Sequence, residues 1–270
     1  MSIIDIHTHA FPDKISKRAM THLQGLTEDW VAVGNGTVGD LLRYMNSTGV
    51  DIAVVCGIAT KPGQWKGILS WLLEVESKHR ERIIPFASVH PNDENIEEAL
   101  LQIKATGIHG IKLHPMHQDF IADADEVMEI YALAAKHGLT VQLHSGYDIG
   151  FPNDSIPDRA SPKRIAAVLD RFEGLKLLCM HMGGWRSWDE VEEYLVGRNV
   201  YMETSFALGH MDDEQFIRIV KNHTPDRICF GSDWPWNDPA AELAKLDSLN
   251  LEPETIKKIK YASGAEFLGI

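Results

Sequence analysis

Residues 3–12, IIDIHTHAFP, form an apolar, β-branched run that ends in a histidine pair and a proline. A doubly wound sheet that binds a nucleotide carries a glycine-rich turn after its first strand, where phosphate oxygens approach the backbone. The stretch His7-Thr8-His9-Ala10-Phe11-Pro12 contains no such turn. Seven further runs of the same kind follow at 50–58, 83–89, 108–114, 139–144, 175–181, 199–205 and 227–233. Helical patterns lie between them. In 123–137, Val127, Ile130, Tyr131, Ala134 and Ala135 share one helix face and Gly138 ends it. In 161–173, Ser161 and Pro162 suit a helix start, Ile165, Val168, Leu169 and Phe172 make the stripe, and Gly174 stops it. Ser187-x-x-Glu190 and Asp212-x-x-Gln215 mark two more helix starts. Eight alternating strand and helix units require parallel pairing, because parallel strands need crossover connections. The expectation is one (β/α)8 TIM barrel spanning 1–270, with a doubly wound sheet as the alternative. Its first unit is long. Residues 10–49 hold Gly25, Gly34, Gly36, Gly39 and Trp30, and read as a substrate lid over the barrel mouth or as padding against its rim.

The 270 residues are 44% hydrophobic, enough to bury a sizeable core, which sets disordered and fibrous classes aside. Charge narrows the partners. With 26 Lys+Arg against 39 Asp+Glu, the net of −13 repels phosphate backbones and anionic lipid, so no nucleic acid or membrane partner is expected. Cys56, Cys179 and Cys229 each sit in an apolar run, as buried thiols of a reducing, cytoplasmic setting would. No leader pattern and no run of about 18 apolar residues is present, which predicts a chain neither exported by that route nor membrane-spanning. The partner expected is a small-molecule substrate, with a homodimer through the outer helix surfaces as a further possibility.

Barrel enzymes carry their chemistry at the C-terminal ends of the strands. Those ends hold His7 and His9, Ser88 and His90, Lys112 and His114, His144, His181, Glu203 and Ser205, and Asp233. Residues i and i+2 of a strand point to one face, so His7 and His9 project together and two nitrogens from one rigid strand can bind one ion. An isolated pair of this kind is also what two hydrogen-bonded core histidines look like. Adding His144, His181 and Asp233 at the same mouth favours a metal. Nitrogen donors with a carboxylate and no thiolate suit Zn2+, and Mn2+, Fe2+ and Co2+ also fit. Asp5 alternates onto the face of His7 one layer deeper, in a supporting hydrogen-bond role, while His117 reads as a solvated loop residue. His90 reads equally as a pocket or a capping residue. Trp185, Trp188, Trp234 and Trp236 follow strands six and eight, and Arg159 and Arg186 follow strands five and six. Aromatic walls with a guanidinium clamp suit a small unsaturated acid, and packing or surface ion pairs are the alternative.

The segments IIDIHTHAFP, GIKLHP, MHMGG and GSDWPW, with a histidine ending strand five, together resemble the amidohydrolase superfamily of metal-dependent barrels. The nearest likeness is the amidohydrolase-related branch that includes the aminocarboxymuconate-semialdehyde decarboxylase type. That resemblance implies His7, His9 and His144 as metal ligands and Asp233 as a ligand or proton relay. It implies His181 as catalytic, or as a ligand if two metals bind. Lys112 stands where binuclear members carry a carboxylated bridging lysine. It is therefore read either as a carbamate between two ions or as an ammonium paired with Glu203 beside one, and one ion is favoured because the pattern looks mononuclear. His114, sharing the face of Lys112, is expected at the substrate or in a structural hydrogen bond. The function implied is hydrolysis, a metal-activated water cleaving a C–N or C–O bond of a small carboxylate-bearing substrate. The alternative is a metal-dependent non-oxidative decarboxylase of an unsaturated or aromatic acid. A binding module that has lost turnover would have lost Asp233 or His181, and a phosphoesterase relative would carry more Lys and Arg at the strand ends.

Overall fold

The computed structural model describes residues 2–27, 30–151 and 158–270, so Glu28 and Asp29 of the 10–49 segment lie outside it. Eight parallel strands are present: β1 (Ile4–Thr8), β2 (Ile52–Cys56), β3 (Ile83–Phe86), β4 (Gly110–Leu113), β5 (Thr140–Leu143), β6 (Leu177–Cys179), β7 (Tyr201–Glu203) and β8 (Ile228–Cys229). Ladders join β1-β2-β3 and β4-β5-β6-β7-β8. Two seams close the ring. Lys112 N donates to Ala87 O at 2.8 Å between β3 and β4, and Ile6 N to Phe230 O at 3.0 Å between β8 and β1. The protein is a TIM barrel, as the eight runs predict.

Helices pack outside the ring. The ones used below are α1 (Asp13–Gln24), α2 (Val38–Thr48), α3 (Trp65–His79), α4 (Ile96–Ala105), α5 (Pro115–Gln118), α6 (Asp125–His137), α7 (Pro162–Arg171), α8 (Trp188–Tyr194), α9 (Asp213–Asn222) and α10 (Pro239–Ser248). The sequence-predicted helices at 123–137 and 161–173 are α6 and α7. At α9, Asp212 accepts from Glu214 N and Gln215 N and caps the helix as expected, whereas Ser187 makes no capping bond to α8.

The core divides by strand alternation. Ala53 and Val55 of β2 pack outward against the helices, while Val54 and Cys56 point inward with Ile6, Phe86, Leu178, Met180, Tyr201 and Cys229. Gly110 is glycine for a spatial reason, since a Cβ there would lie 2.1 Å from the Phe86 ring. Among the inward residues Gln142 is polar and satisfied: it accepts from Cys56 Sγ at 2.9 Å and donates to Ile6 O at 3.0 Å.

The face assigned to Asp5 needs correcting. The β1–β2 register slips between Asp5 and Thr8, which places one extra residue on β1. A bulge of this kind lets consecutive side chains share a face, so Ile6 and His7 both reach the interior. Asp5 therefore turns to the other side, where its carboxylate accepts from His7 N, Ser232 N and Ser232 Oγ at 3.2, 3.0 and 2.5 Å. It satisfies backbone donors where β1 leaves its ladder with β2, and burial pushes its pKa up to about 7.

The first-unit extension is α1, a loop and α2. Phe11 N donates to Gly36 O at 2.8 Å and Val33 N to Pro235 O at 2.8 Å, so this segment is tied across the mouth to the loop after β8. Trp30 packs edge-on against Trp185, Phe206 and His210. Among the described residues, no helix is long and apolar enough to cross a membrane.

Candidate metal centre

His7 Nε2, His9 Nε2 and Asp233 Oδ1 converge at the top of the barrel. The three pairs are separated by 3.1 Å (His7–His9), 3.2 Å (His7–Asp233) and 3.3 Å (His9–Asp233). Hydrogen bonding on the far side of each ring fixes what these atoms present. His7 Nδ1 lies 3.1 Å from Glu203 Oε1, and His9 Nδ1 lies 3.2 Å from the Cys56 carbonyl oxygen. Both acceptors lack a proton, so each ring donates through Nδ1 and turns the lone pair of Nε2 toward Asp233. Burial holds His7 well below the usual imidazole range, and it is neutral.

Two nitrogen lone pairs and a carboxylate oxygen thus face one another in a buried space. Asp233 Oδ1 is buried and has no hydrogen-bond donor among the described residues. Such an arrangement is repulsive unless a cation sits among the three. Bonds of roughly 2.0–2.2 Å give donor separations of about 3.0 Å in an octahedral and about 3.4 Å in a tetrahedral ion. The observed spacings lie between these values. The donor set fits a divalent ion and does not choose between Zn2+ and Mn2+.

Glu203 organises the base of this site. Its Oε1 accepts from Ser205 Oγ at 2.7 Å and His181 N at 2.8 Å besides His7, and its Oε2 accepts from Ser205 N at 2.6 Å. The same four contacts overturn the expected Lys112–Glu203 pair. No carboxylate oxygen lies within 4.0 Å of Lys112 Nζ among the described residues, and its hydrogen-bond contact is Met180 Sδ. Lys112 is fully buried, and burial pulls its pKa down to about 8.

His144 stands apart from the trio. None of its ring nitrogens lies within 4.8 Å of all three converging atoms. Its Nε2 donates to Tyr147 O at 2.8 Å, its ring stacks on His114 at 4.0 Å, and its Nδ1 faces His181 Nε2 at 3.1 Å. Strand alternation would have turned His181 away from the interior, since Met180 points inward. Left-handed backbone at His181 (φ 57°) and Met182 (φ 55°) re-aims it. Its Nδ1 lies 2.9 Å from Ser205 Oγ, whose own proton goes to Glu203, so His181 is the donor there.

The trio lies in a cavity of about 500 Å3. His114, His144, His181 and Trp185 line it as expected. Three other expectations do not hold. Arg159 is outside the lining and pairs with Asp119 Oδ1 at 2.5 Å. Arg186, at φ 60°, is exposed with its guanidinium 5.4 Å from the centre of the Trp185 ring, so it is no cavity clamp. Trp234 is fully buried against Tyr44 and Gly34, and Trp236 takes the place in the wall expected of it.

Two residues beside His114 escape the sequence reading. Asp148 Oδ2 lies 3.3 Å from His114 Nε2 and 3.6 Å from His144 Nε2, and His117 packs edge-on against His114 at 4.4 Å. Pro115 starts the single turn α5 and puts His117 three residues beyond His114, on its face. That proline was the available signal. Nothing comparable marks Asp148, which sits in the loop after β5.

The sequence model of the amidohydrolase family matches residues 4–270. No curated protein sequence matches the chain. Among solved structures, it is similar to an uncharacterised TIM-barrel protein from Bordetella bronchiseptica, with a TM-score of 0.78, 17% identity, and 100% of this chain and 99% of that one covered. It is similar to 5-carboxyvanillate decarboxylase from Sphingomonas paucimobilis, with a TM-score of 0.72, 14% identity, and coverage of 100% and 99%. The third is dihydroxybenzoic acid decarboxylase from Polaromonas sp. JS666 with bound manganese and the inhibitor 2-nitroresorcinol, with a TM-score of 0.70, 16% identity, and coverage of 99% and 97%.

Proposed function

The chain belongs to the amidohydrolase family, and from that premise we propose that it is a metal-dependent, non-oxidative decarboxylase of an aromatic or unsaturated carboxylic acid. One observation carries the reading: the lone pairs of His7 and His9 and the Asp233 carboxylate converge within a cavity that has no Lys or Arg among its described lining residues. An ion held by those three, one per chain, supplies the positive point that draws in and polarises an anionic substrate.

The remaining work falls to the chain's own groups. Glu203 and the Cys56 carbonyl hold the two imidazoles in the tautomer that leaves Nε2 free. Apolar walls from Phe206, Trp185 and Trp236 strip water from the carboxylate. Loss of CO2 spreads that localised charge over the departing group and the ring, so a dry site opposes the ground state more than the transition state. Breaking the C–C bond leaves an electron pair on carbon that takes up one proton: a carboxylate plus a proton gives the decarboxylated product and CO2. His181 supplies it. Its Nε2 lines the cavity 3.1 Å from His144 Nδ1. Ser205, accepting from His181 Nδ1, holds the ring in place.

Hydrolysis would use the same donors, with water as the second reactant. The names of two of the three similar structures, both decarboxylases, support the lyase reading over it. The test is a panel of hydroxybenzoates, unsaturated acids, lactones and amides offered to protein reconstituted with Mn2+ or Zn2+, with CO2 and acid release scored separately. CO2 equal to the acid consumed is expected. Acid release from a lactone or amide without CO2 would restore the hydrolytic reading.

A further inference from the structure

We propose that the acid taken by this site carries an apolar group larger than a single ring, seated between α1 and α3; this rests on the carboxylic-acid reading above. A benzoate-sized acid has roughly ten non-hydrogen atoms, and at about 20 Å3 each at interior packing density it needs near 200 Å3. The cavity offers about 500 Å3. Its extra space is bounded by two helix stripes.

Helix α1 turns Ile15, Ala19 and Leu23 to the cavity, at i, i+4 and i+8. The adjoining face already has partners, since Ser16 Oγ donates to Asn35 O at 2.6 Å and Met20 packs against Gly36. The stripe is therefore a second apolar face, one that lines the cavity among the described residues, and Ile15 remains 39% exposed. Helix α3 does the same. Leu69 and Leu72 face the core, while Gly67, Ile68 and Trp71 line the cavity. Gly67 is exposed at the rim of the cavity, where a Cβ would meet nothing within 4 Å, so a larger side chain there has room to reach over this wall.

Chemistry limits what that is. The described lining residues include no Lys or Arg, and its carboxylates, Asp148 and Asp233, stand among the histidines. A second anionic group has no partner at the α1–α3 end, and a strongly polar group has few. The ligand class is an amphipathic acid: carboxylate toward His7, His9 and Asp233, hydrocarbon or fused ring toward Ile68 and Leu23.

Calorimetric titration of the Mn2+-loaded protein with 2-hydroxybenzoate and 3-hydroxy-2-naphthoate tests this, with CO2 release followed in parallel. A second ring buried against these helices binds about tenfold tighter, from roughly 50–60 Å2 of added apolar contact. Gly67→Phe reaches over the α3 wall and is expected to remove that preference. If Gly67→Phe misfolds by circular dichroism, Ala19→Phe on α1 carries the same comparison. Equal affinities for the two acids, or a tenfold preference that survives both substitutions, overturns the inference. Tighter naphthoate binding without CO2 from either acid upholds the apolar subsite and defeats the decarboxylase reading. CO2 from the hydroxybenzoate with no gain for the naphthoate does the reverse.

Discussion

Lys112→Met is expected to stabilise the metal-free protein at neutral pH, by an amount that disappears as the pH rises. Lys112 is fully buried with no carboxylate within 4.0 Å among the described residues, and burial takes its pKa from 10.5 to about 8. At pH 7 both the folded and unfolded chains carry the ammonium, and the folded one holds it at a cost. Each tenfold change in the proton equilibrium is about 1.4 kcal/mol, so that cost is about 3 kcal/mol. Between pH 8 and 10.5 the folded lysine has lost its proton while the unfolded one keeps it, so wild-type stability rises with pH across this window. Above it the cost is gone. Methionine has similar length and needs no partner, and the group it would meet, Met180 Sδ, is itself thioether. Urea denaturation of wild type and variant in chelator at pH 7, 8.5 and 10 reads the effect. The variant should gain up to about 3 kcal/mol at pH 7 and little at pH 10. A variant that is less stable at pH 7, with a deficit that does not change with pH, would show that the amine has a counter-charge and refute the reasoning. A simultaneous loss of turnover with metal retained would show why the lysine persists at that cost.

Glu203→Gln should weaken metal affinity about 10–100-fold, since it removes the charge from the oxygen that accepts from His7 and turns one of the two acceptor oxygens into a donor, and competition with a coloured chelator measures it. Asp233→Asn should abolish metal retention on gel filtration and leave the far-ultraviolet circular dichroism intact, because its Oδ1 makes no structural hydrogen bond. Arg186→Met should leave the Michaelis constant for any accepted acid within twofold, the guanidinium being exposed outside the cavity; a tenfold rise would return it to the substrate. Gly146→Ala should cost about 2–3 kcal/mol or more in thermal denaturation, because the backbone is at φ 81° and a Cβ would lie 2.3 Å from Trp185 N.

The barrel and the composition of its mouth were legible because strand burial repeats every second residue and every strand delivers its last polar side chain to the same face. Lys112 and His144 follow that rule, while His7 reaches the interior through the bulge in β1. The departures all have a local backbone cause that no period reveals. One extra residue in β1 carried Asp5 to the opposite face, and two left-handed residues brought His181 inward against its alternation. A left-handed Arg186 was carried out of the cavity in the same way. Asp148 and Trp234 were set by loop paths, one into the cavity and one beneath its wall, and nothing in their immediate sequence distinguishes the two outcomes.

Which histidines hold metal was not a question of how many reach the mouth, since His7, His9, His114, His144 and His181 all do. The second nitrogen separates His7 and His9 from His114. A ligating imidazole donates its other N–H to an acceptor that orients it, and an imidazole without that acceptor leaves a buried donor unsatisfied when it binds an ion. His7 and His9 have Glu203 and the Cys56 carbonyl, and their free nitrogens meet at a carboxylate with no donor of its own. His114, His117 and Asp148 also bring three ligand atoms within 4.8 Å. Yet His114 Nδ1 is buried with no partner among the described residues, so an ion on its Nε2 would strand that N–H. On the proposed reading the first cluster holds the ion and the second meets hydrogen-bonding groups of the substrate, which would place the charge of the metal at one end of the cavity and leave α1 and α3 to determine what extends from it.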